Sequence, residues 1–271
     1  MKYMTFNSSC SYAGLANLLE KYDVDTEDHL IALQMNLPYF FIKKNGYYLS
    51  GPMLQCARWF NLYLNPIGWE MKEKDVLREA VPNYLKEQHC AMLGIRISES
   101  AKHAMVYWKH DQQGFHFINN KHKDDRCEAY LCFSEEELLE KLDDTTMIAT
   151  LHKCEPHEVN IDMHLRTSLE TLSDMKKALD AFLSSEREPN EVRARLNILF
   201  RPIFLDGIGM MQMIGETKLA DDMSSLQTSL MQLVRSNARA IPYDYVSKDL
   251  LHQVIDRLIL LVERRIATLV H

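Results

Sequence analysis

Six cysteines, at positions 10, 56, 90, 127, 132 and 154, are too few and too irregularly placed in 271 residues for the disulfide framework of a small secreted domain. They read as reduced thiols in a cytoplasmic protein. Nor is there an excess of positive charge: 31 Lys and Arg are scattered among 38 Asp and Glu, giving a formal charge of -7. Phosphate recognition depends on clustered cations, so nucleic acid is not an expected partner. The chain also lacks a charge-free apolar run of the roughly 20 residues that cross a bilayer, and "MKYMTFNSSCSYAG" lacks the shorter run a signal peptide needs. A soluble protein without a membrane partner is expected. No Gly-rich phosphate loop, HExxH or GxSxG pattern occurs, which leaves no cofactor implied. "CEAYLC" (127 to 132) brings two thiols close in sequence, but no second pair with CxxC or HxxxH spacing joins them, and no metal site is expected.

What is present is apolar surface. At 46% hydrophobic residues the chain can bury a substantial core, and its 15 methionines suit gap-filling among helices. The texture changes along its length. Up to about residue 155 helical and strand patterns alternate, whereas the rest is helical throughout, so an α+β domain over 1–157 and an all-α bundle over 158–271 are expected.

In the first region Ala13, Leu15, Ala16, Leu18, Leu19 and Tyr22 share one side of a helix that starts near Ser9 or Cys10. Asp25 or Thr26 can cap a second. "YFFIKKNGYYLS" places β-formers on both sides of Asn45-Gly46, which suits a type I′ hairpin because both turn positions need positive φ. "GPMLQCARWFNLYL" (51 to 64) reads as a buried helix with Pro52 in its first turn, and "EKDVLREAVPNYLKE" (73 to 87) as an exposed helix disturbed by Pro82. Strands are expected over 90–97, 103–110, 114–120, 128–133 and 147–153, with a turn at Asp111 to Gly114 and a Ser134/Glu137 capping box before "SEEELLEKL". Four helical windows follow, near 162–184, 190–204, 206–236 and 246–269, separated at Glu188-Pro189, Arg201-Pro202 and Ile241-Pro242. "LLHQVIDRLILLVERRIATLV" is apolar enough for burial over most of its surface. Core packing is the default; the segment could instead form a homodimer contact or receive a partner helix, with Arg193, Arg195, Arg201, Arg264 and Arg265 as the cations for an acidic partner.

Chemistry concentrates at three positions. A thiol attacks carbonyls as thiolate, and Cys10 at a helix amino terminus would have unpaired N–H groups and a partial positive charge beside its sulfur. His103 heads one strand and Asn119, sixteen residues on, ends the next. If Asp111 to Gly114 reverses the chain, the two lie side by side, and an Asn there can accept a hydrogen bond from the imidazole and fix its tautomer. Asn120 could serve in place of Asn119, but alternation sends the two side chains to opposite faces, so one of them orients the ring. "KHKDDR" (121 to 126) reads as a solvated loop.

Cys10, His103 and Asn119 in this order and spacing resemble the papain-like cysteine enzymes, and among them the bacteriocin-leader-processing peptidases. "CSYAGLANLLEKY" more closely resembles the start of the amino-terminal domain of the butirosin-biosynthesis acyltransferase family. The likeness extends over roughly residues 5 to 155 and implies a papain-like fold with a Cys10–His103–Asn119 triad. It implies acyl transfer through a thioester acyl-enzyme, from a carrier-protein thioester to an amine; peptide or amide hydrolysis by the same triad is the alternative. Two departures stand out. Papain-like peptidases carry an oxyanion-holding Gln six residues before the nucleophile, where this chain has Met4, and leader peptidases often follow the nucleophile with Gly, where this chain has Ser11. Asn7, Ser8 or backbone amides are then the candidate oxyanion donors. A non-catalytic binding module on the same fold is the remaining reading.

Overall fold

The computed structural model describes residues 1–99, 101–184, 188–235 and 246–269. Two compact units emerge. One comprises Met1–Met35 with Gln55–Val159, the other Asn36–Leu54 with Asn160–His271.

The first unit is an α+β fold built on a six-stranded antiparallel sheet. Its helices are α1 (Cys10–Glu20), α2 (Asp28–Gln34), α3 (Ala57–Leu64), α4 (Val81–Lys86) and α5 (Glu135–Glu140), and its strands are β3 (Trp69–Leu77), β4 (Ala91–Ser98), β5 (Ala101–Asp111), β6 (Gly114–Asn119), β7 (Tyr130–Phe133) and β8 (Thr145–Lys153). The strand order is β3-β8-β4-β5-β6-β7. On one face, Leu93, Ile95, Met105, Tyr107, Phe115 and Phe117 pack with Val81 and Leu85 of α4 and Leu138 of α5. On the other lies α1, whose Leu15, Leu18 and Leu19 are fully buried, each worth about 1.5–3 kcal/mol of removal from water. Gly14 sets how closely this helix approaches. A Cβ there would stand 2.5 Å from Met92 Sδ and 2.7 Å from Asn120 Nδ2, so only a residue without one fits. Ser134 and Glu137 form the reciprocal capping box that starts α5.

Two helix expectations fail here. Residues 73–77, expected in a helix, belong instead to the edge strand β3, which pairs with β8 from Trp69↔Lys153 to Leu77↔Thr145. Lys72, Glu73, Lys74 and Asp75 stay exposed on it, and such charge on an edge discourages further strand pairing. The helix begins only at Val81, with Pro82 in its first turn, where a missing N–H costs nothing. Likewise Pro52 belongs to a single 3₁₀ turn, Gly51–Met53, and α3 starts six residues later than the pattern suggests.

The second unit holds the hairpin β1 (Phe41–Lys44) and β2 (Tyr47–Ser50) with α6 (Ile161–Leu183), α7 (Pro189–Met213), α8 (Thr217–Arg235) and α9 (Lys248–Leu269). Asn45 and Gly46 have φ of 52° and 81°, as a type I′ turn requires. The hairpin joins the helices rather than the first 157 residues. Its Phe41 N–H donates to Ser168 Oγ at 3.0 Å, and Tyr48 Oη to Asp174 at 2.8 Å, both on α6. α6 buries Leu165, Ser168, Leu172, Met175, Leu179 and Phe182, one stripe at helical spacing. α7 runs unbroken through position 202, so the expected Arg201-Pro202 break is absent; the helix ends instead at Gly215 (φ 80°), where Glu216 N–H closes on the Met211 carbonyl at 2.8 Å. α9 buries a single stripe, Leu251, Val254, Ile255, Leu258, Leu261 and Val262, while Leu260 is half exposed, so the helix is amphipathic rather than buried on most sides. The Ile241-Pro242 break lies outside the described residues. Among the described residues no helix is long and apolar enough to cross a membrane.

Candidate active site

The site begins with the loop that delivers Cys10. Asp28, fully buried at the start of α2, accepts from Thr5 N–H and Thr5 Oγ1, each at 2.6 Å, and from Ser9 Oγ at 3.2 Å. Three donors on one carboxylate fix residues 5–9. Ser9 occupies the N-cap position of α1, yet its side chain makes no cap bond to its own helix. The Ser9 carbonyl takes the Tyr12 and Ala13 N–H groups at 2.9 and 3.0 Å, and Cys10, the first residue of the helix, stands at its positive end.

The second part comes from a mismatch in strand length. β6 pairs with β5 only as far as Met105↔Asn119, so residues 101–104 of β5 have β4 on one side and no strand on the other. Asn120 fills the gap. Fully buried, it donates from Nδ2 to the Ala104 carbonyl at 2.8 Å and accepts from Asn17 Nδ2 of α1 at 2.9 Å. One side chain thus clamps the nucleophile's helix to the strand that carries His103.

Cys10 and His103 come together there and act on each other. Burial pushes the Cys10 thiol up, but the His103 imidazole, through hydrogen bonding and charge, together with Ala104 N–H and the Ser11 hydroxyl, outweighs it, and the thiol is held below its ordinary value. For His103, burial favours the neutral ring. The Cys10 sulfur, the main-chain carbonyl of Asn120 and the charge of Asp125 act the other way and leave the ring more basic than usual. Both shifts run toward thiolate beside imidazolium.

The third expected member is placed differently. Asn119 Nδ2 donates to the Glu128 carbonyl at 2.9 Å and lies 3.6 Å from Cys127 Sγ, turned toward the following loop. The group that meets the imidazole is the backbone carbonyl of Asn120, one residue on. The reason is alternation: the two neighbouring Asn side chains leave the strand on opposite faces, and the one on the α1 side is spent on Ala104 and Asn17. "KHKDDR" is the expected solvated loop from Lys123 to Arg126, but its first two residues are tied down. Lys121 is buried, donating to the carbonyls of His122 and Asp125 at 3.1 and 2.7 Å, while His122 Nδ1 meets the Met4 carbonyl at 2.8 Å. Met4, where a Gln was missed, is thereby tied to the loop whose Asp125 acts on His103.

Of the oxyanion candidates, Asn7 is exposed and Ser8 half-buried, and both engage other groups. A residue that sequence reasoning passed over stands beside them. Gln55 donates from Nε2 to the Ser8 carbonyl and accepts from Ser11 Oγ at 3.1 Å, so its carboxamide bridges the residues on either side of the nucleophile. No local signal marks a contact made across 44 residues.

Among the described residues no group of His, Cys, Asp or Glu side chains is arranged to hold a metal ion. The six cysteines are free thiols. Among the five arginines considered for an acidic partner, Arg193 donates to Asn190 Oδ1, Arg264 meets Glu216 at 3.0 Å and Arg265 donates to Asn36 Oδ1 at 2.8 Å.

No family model matches the sequence, and no curated protein does either. Among solved structures the chain is similar to the peptidase domain of Streptococcus ComA, a bifunctional ABC transporter involved in a quorum-sensing pathway, at 10% identity and a TM-score of 0.38, over 56% of this chain and 96% of that domain.

Proposed function

We propose that this chain is a cysteine-dependent acyl-transfer enzyme with Cys10 as nucleophile and His103 as its proton carrier. The observation that carries this reading is the Asn120 clamp, which binds α1 to Ala104 and so holds the Cys10 sulfur beside an imidazole made more basic by it. In the first step the sulfur bonds to the acyl carbon, the bond to the leaving group breaks, and His103 hands that group a proton. In the second an amine attacks the thioester, the C–S bond breaks, and His103 takes the amine's proton as Cys10 is regenerated. A carrier-protein thioester is the proposed donor. Water in place of the amine would make the same machinery a peptidase or amide hydrolase.

The test is intact-mass detection of an acyl adduct on Cys10 with N-acetylcysteamine thioesters, followed by a chase with primary amines against buffer alone. Amine-dependent loss of the adduct, with amide formed, is the expected result. Loss at equal rate in buffer alone would reassign the chain as a hydrolase. An adduct that forms equally on Cys10→Ala would remove the enzymatic reading and leave a binding module.

A further inference from the structure

We propose that the groove beside the end of α1, lined by Lys21, Trp108, Ile118 and Tyr130, binds a small aromatic carboxylate. Cys10 opens the same helix about 16 Å away along its axis, so the inference does not depend on the acyl-transfer reading. α1 covers this face of the sheet only in part. Val106 of β5, Ile118 of β6 and Tyr130 of β7 stand in one row across it, in the register Val106↔Ile118 and Ile118↔Tyr130. Val106 and Ile118 are buried, whereas Tyr130 is 55% exposed, so the row runs out from under the helix into solvent. The step from covered to open sheet leaves a groove of about 450 Å³, a size that suits a small molecule. Glu20 and Lys21 bound it on the helix side.

Its polar groups select the charge of the ligand. Lys21 Nζ lies 3.9 Å from the centre of the Trp108 ring, and no carboxylate among the described residues pairs with it. The other charges nearby are matched: Glu20 meets the Met1 nitrogen at 3.3 Å, and Lys109, 5.6 Å from the same ring, holds Asp111 at 2.6 Å. Trp108 Nε1–H is shut off from water and has no hydrogen-bond partner among the described residues, a state that an incoming acceptor relieves. An ammonium and an indole N–H are donors only, so a ligand that completes them brings acceptors and negative charge, as a carboxylate does. The walls select the body of the ligand. Trp108 and Tyr130 have ring centres 6.2 Å apart and planes inclined at 47°, an open pair that a third ring can join beside the Ile118 side chain. A carboxylate that draws Lys21 off the indole exchanges a cation–π contact for a charge-assisted hydrogen bond and frees that face for the ligand's ring.

The experiment follows the indole N–H signals of the three tryptophans in the full chain by nitrogen–proton correlation spectroscopy, with Trp108→Phe assigning the signal of interest. The probe is phenylacetate. It is compared with phenylacetamide, which has the ring without the charge, and with acetate, which has the charge without the ring. Saturable movement of the Trp108 signal by phenylacetate at millimolar concentration or below is expected, with the amide and acetate each binding about 10-fold more weakly or worse. Lys21→Met, which keeps a stem of similar length without the ammonium, is expected to weaken phenylacetate about 10-fold while leaving phenylacetamide within about 2-fold. A Trp108 signal unmoved by millimolar phenylacetate would overturn the proposal. Equal binding of acid and amide, or undiminished binding of the acid by Lys21→Met, would overturn it too, since neither would show the charge being read. Equal binding of acetate would reduce the groove to an exposed lysine and overturn the aromatic part with it. Movement of the Trp108 signal on dilution of the protein alone, with no response to phenylacetate, would reassign this face to contact between copies of the chain.

Discussion

The same β5–β6 ribbon carries two cysteine–histidine pairs, one near each end, and they are built differently. Near the open end are Cys10 and His103. Near the Asp111–Gly114 turn, His116 Nε2 lies 2.8 Å from Asp111 Oδ1 and 3.8 Å from the exposed Cys132 Sγ, while Lys109 reaches Asp111 at 2.6 Å. By composition the second group is the better triad, since it contains a Cys, a His and an acid in contact. Its geometry defeats it. Acid and thiol address the same ring nitrogen, so the ring cannot be held at one nitrogen and pass a proton at the other. Asp111 is held well below the usual carboxylate range by Lys109 and His116, which makes it a local ion-pair partner. No helix begins at Cys132, and its sulfur donates to the Gln113 carbonyl at 3.4 Å. What separates the two pairs is therefore the surroundings: Cys10 stands half-buried at the start of a helix, whereas Cys132 is exposed on a strand.

The largest expected effect breaks this comparison directly. His103→Ala should lower the rate of Cys10 acylation by about 10²–10⁴-fold, whereas His116→Ala should leave it within about 2-fold. Single-turnover acylation with p-nitrophenyl acetate measures both, and comparable losses would make the two pairs equivalent.

A pH profile sharpens the contrast. Because the Cys10 thiol is held below its ordinary value of 9.0, its alkylation rate should rise with pH through an inflection below 9.0. Thiolate is the reactive form, so removing the group that stabilises it moves the inflection upward. His103→Ala should therefore shift the Cys10 curve to higher pH and His116→Ala should not. An unmoved inflection in His103→Ala would assign the depression to the helix terminus instead.

The smallest expected effect distinguishes the two neighbouring asparagines. Asn120→Ala removes the side-chain partner of the Ala104 carbonyl and of one Asn17 N–H, at a cost of about 1–3 kcal/mol for each buried group. Asn119→Ala loses one bond to Glu128 in a partly exposed setting, about 1 kcal/mol. Urea denaturation with Cys10 alkylation as a second readout checks the order, and a more damaging Asn119→Ala would return the orienting role to Asn119.

Legibility in the sequence followed the range of the interaction. The α1 start, the Asn45-Gly46 hairpin and the Ser134/Glu137 box each depend on residues within a few positions, and the structure has them where the pattern puts them. β3 was hidden because four exposed charged residues in succession on a sheet edge look like the polar face of a helix. Hairpin logic could set His103 beside the Asn119–Asn120 dipeptide, but the choice between Asn119 and Asn120 depends on which face α1 covers, a tertiary fact. Gln55 was beyond reach for the same reason, since nothing near position 55 announces Ser8 and Ser11.

Gly14 acts as a spacer whose thickness is the absence of one methyl group. With a Cβ there, Met92 and Asn120 would have to yield or α1 would have to lift, and Asn120 is the side chain that joins the helix to Ala104. A Gly14→Ala chain could keep every reactive group and still be out of alignment, with sulfur and imidazole standing on parts that no longer meet.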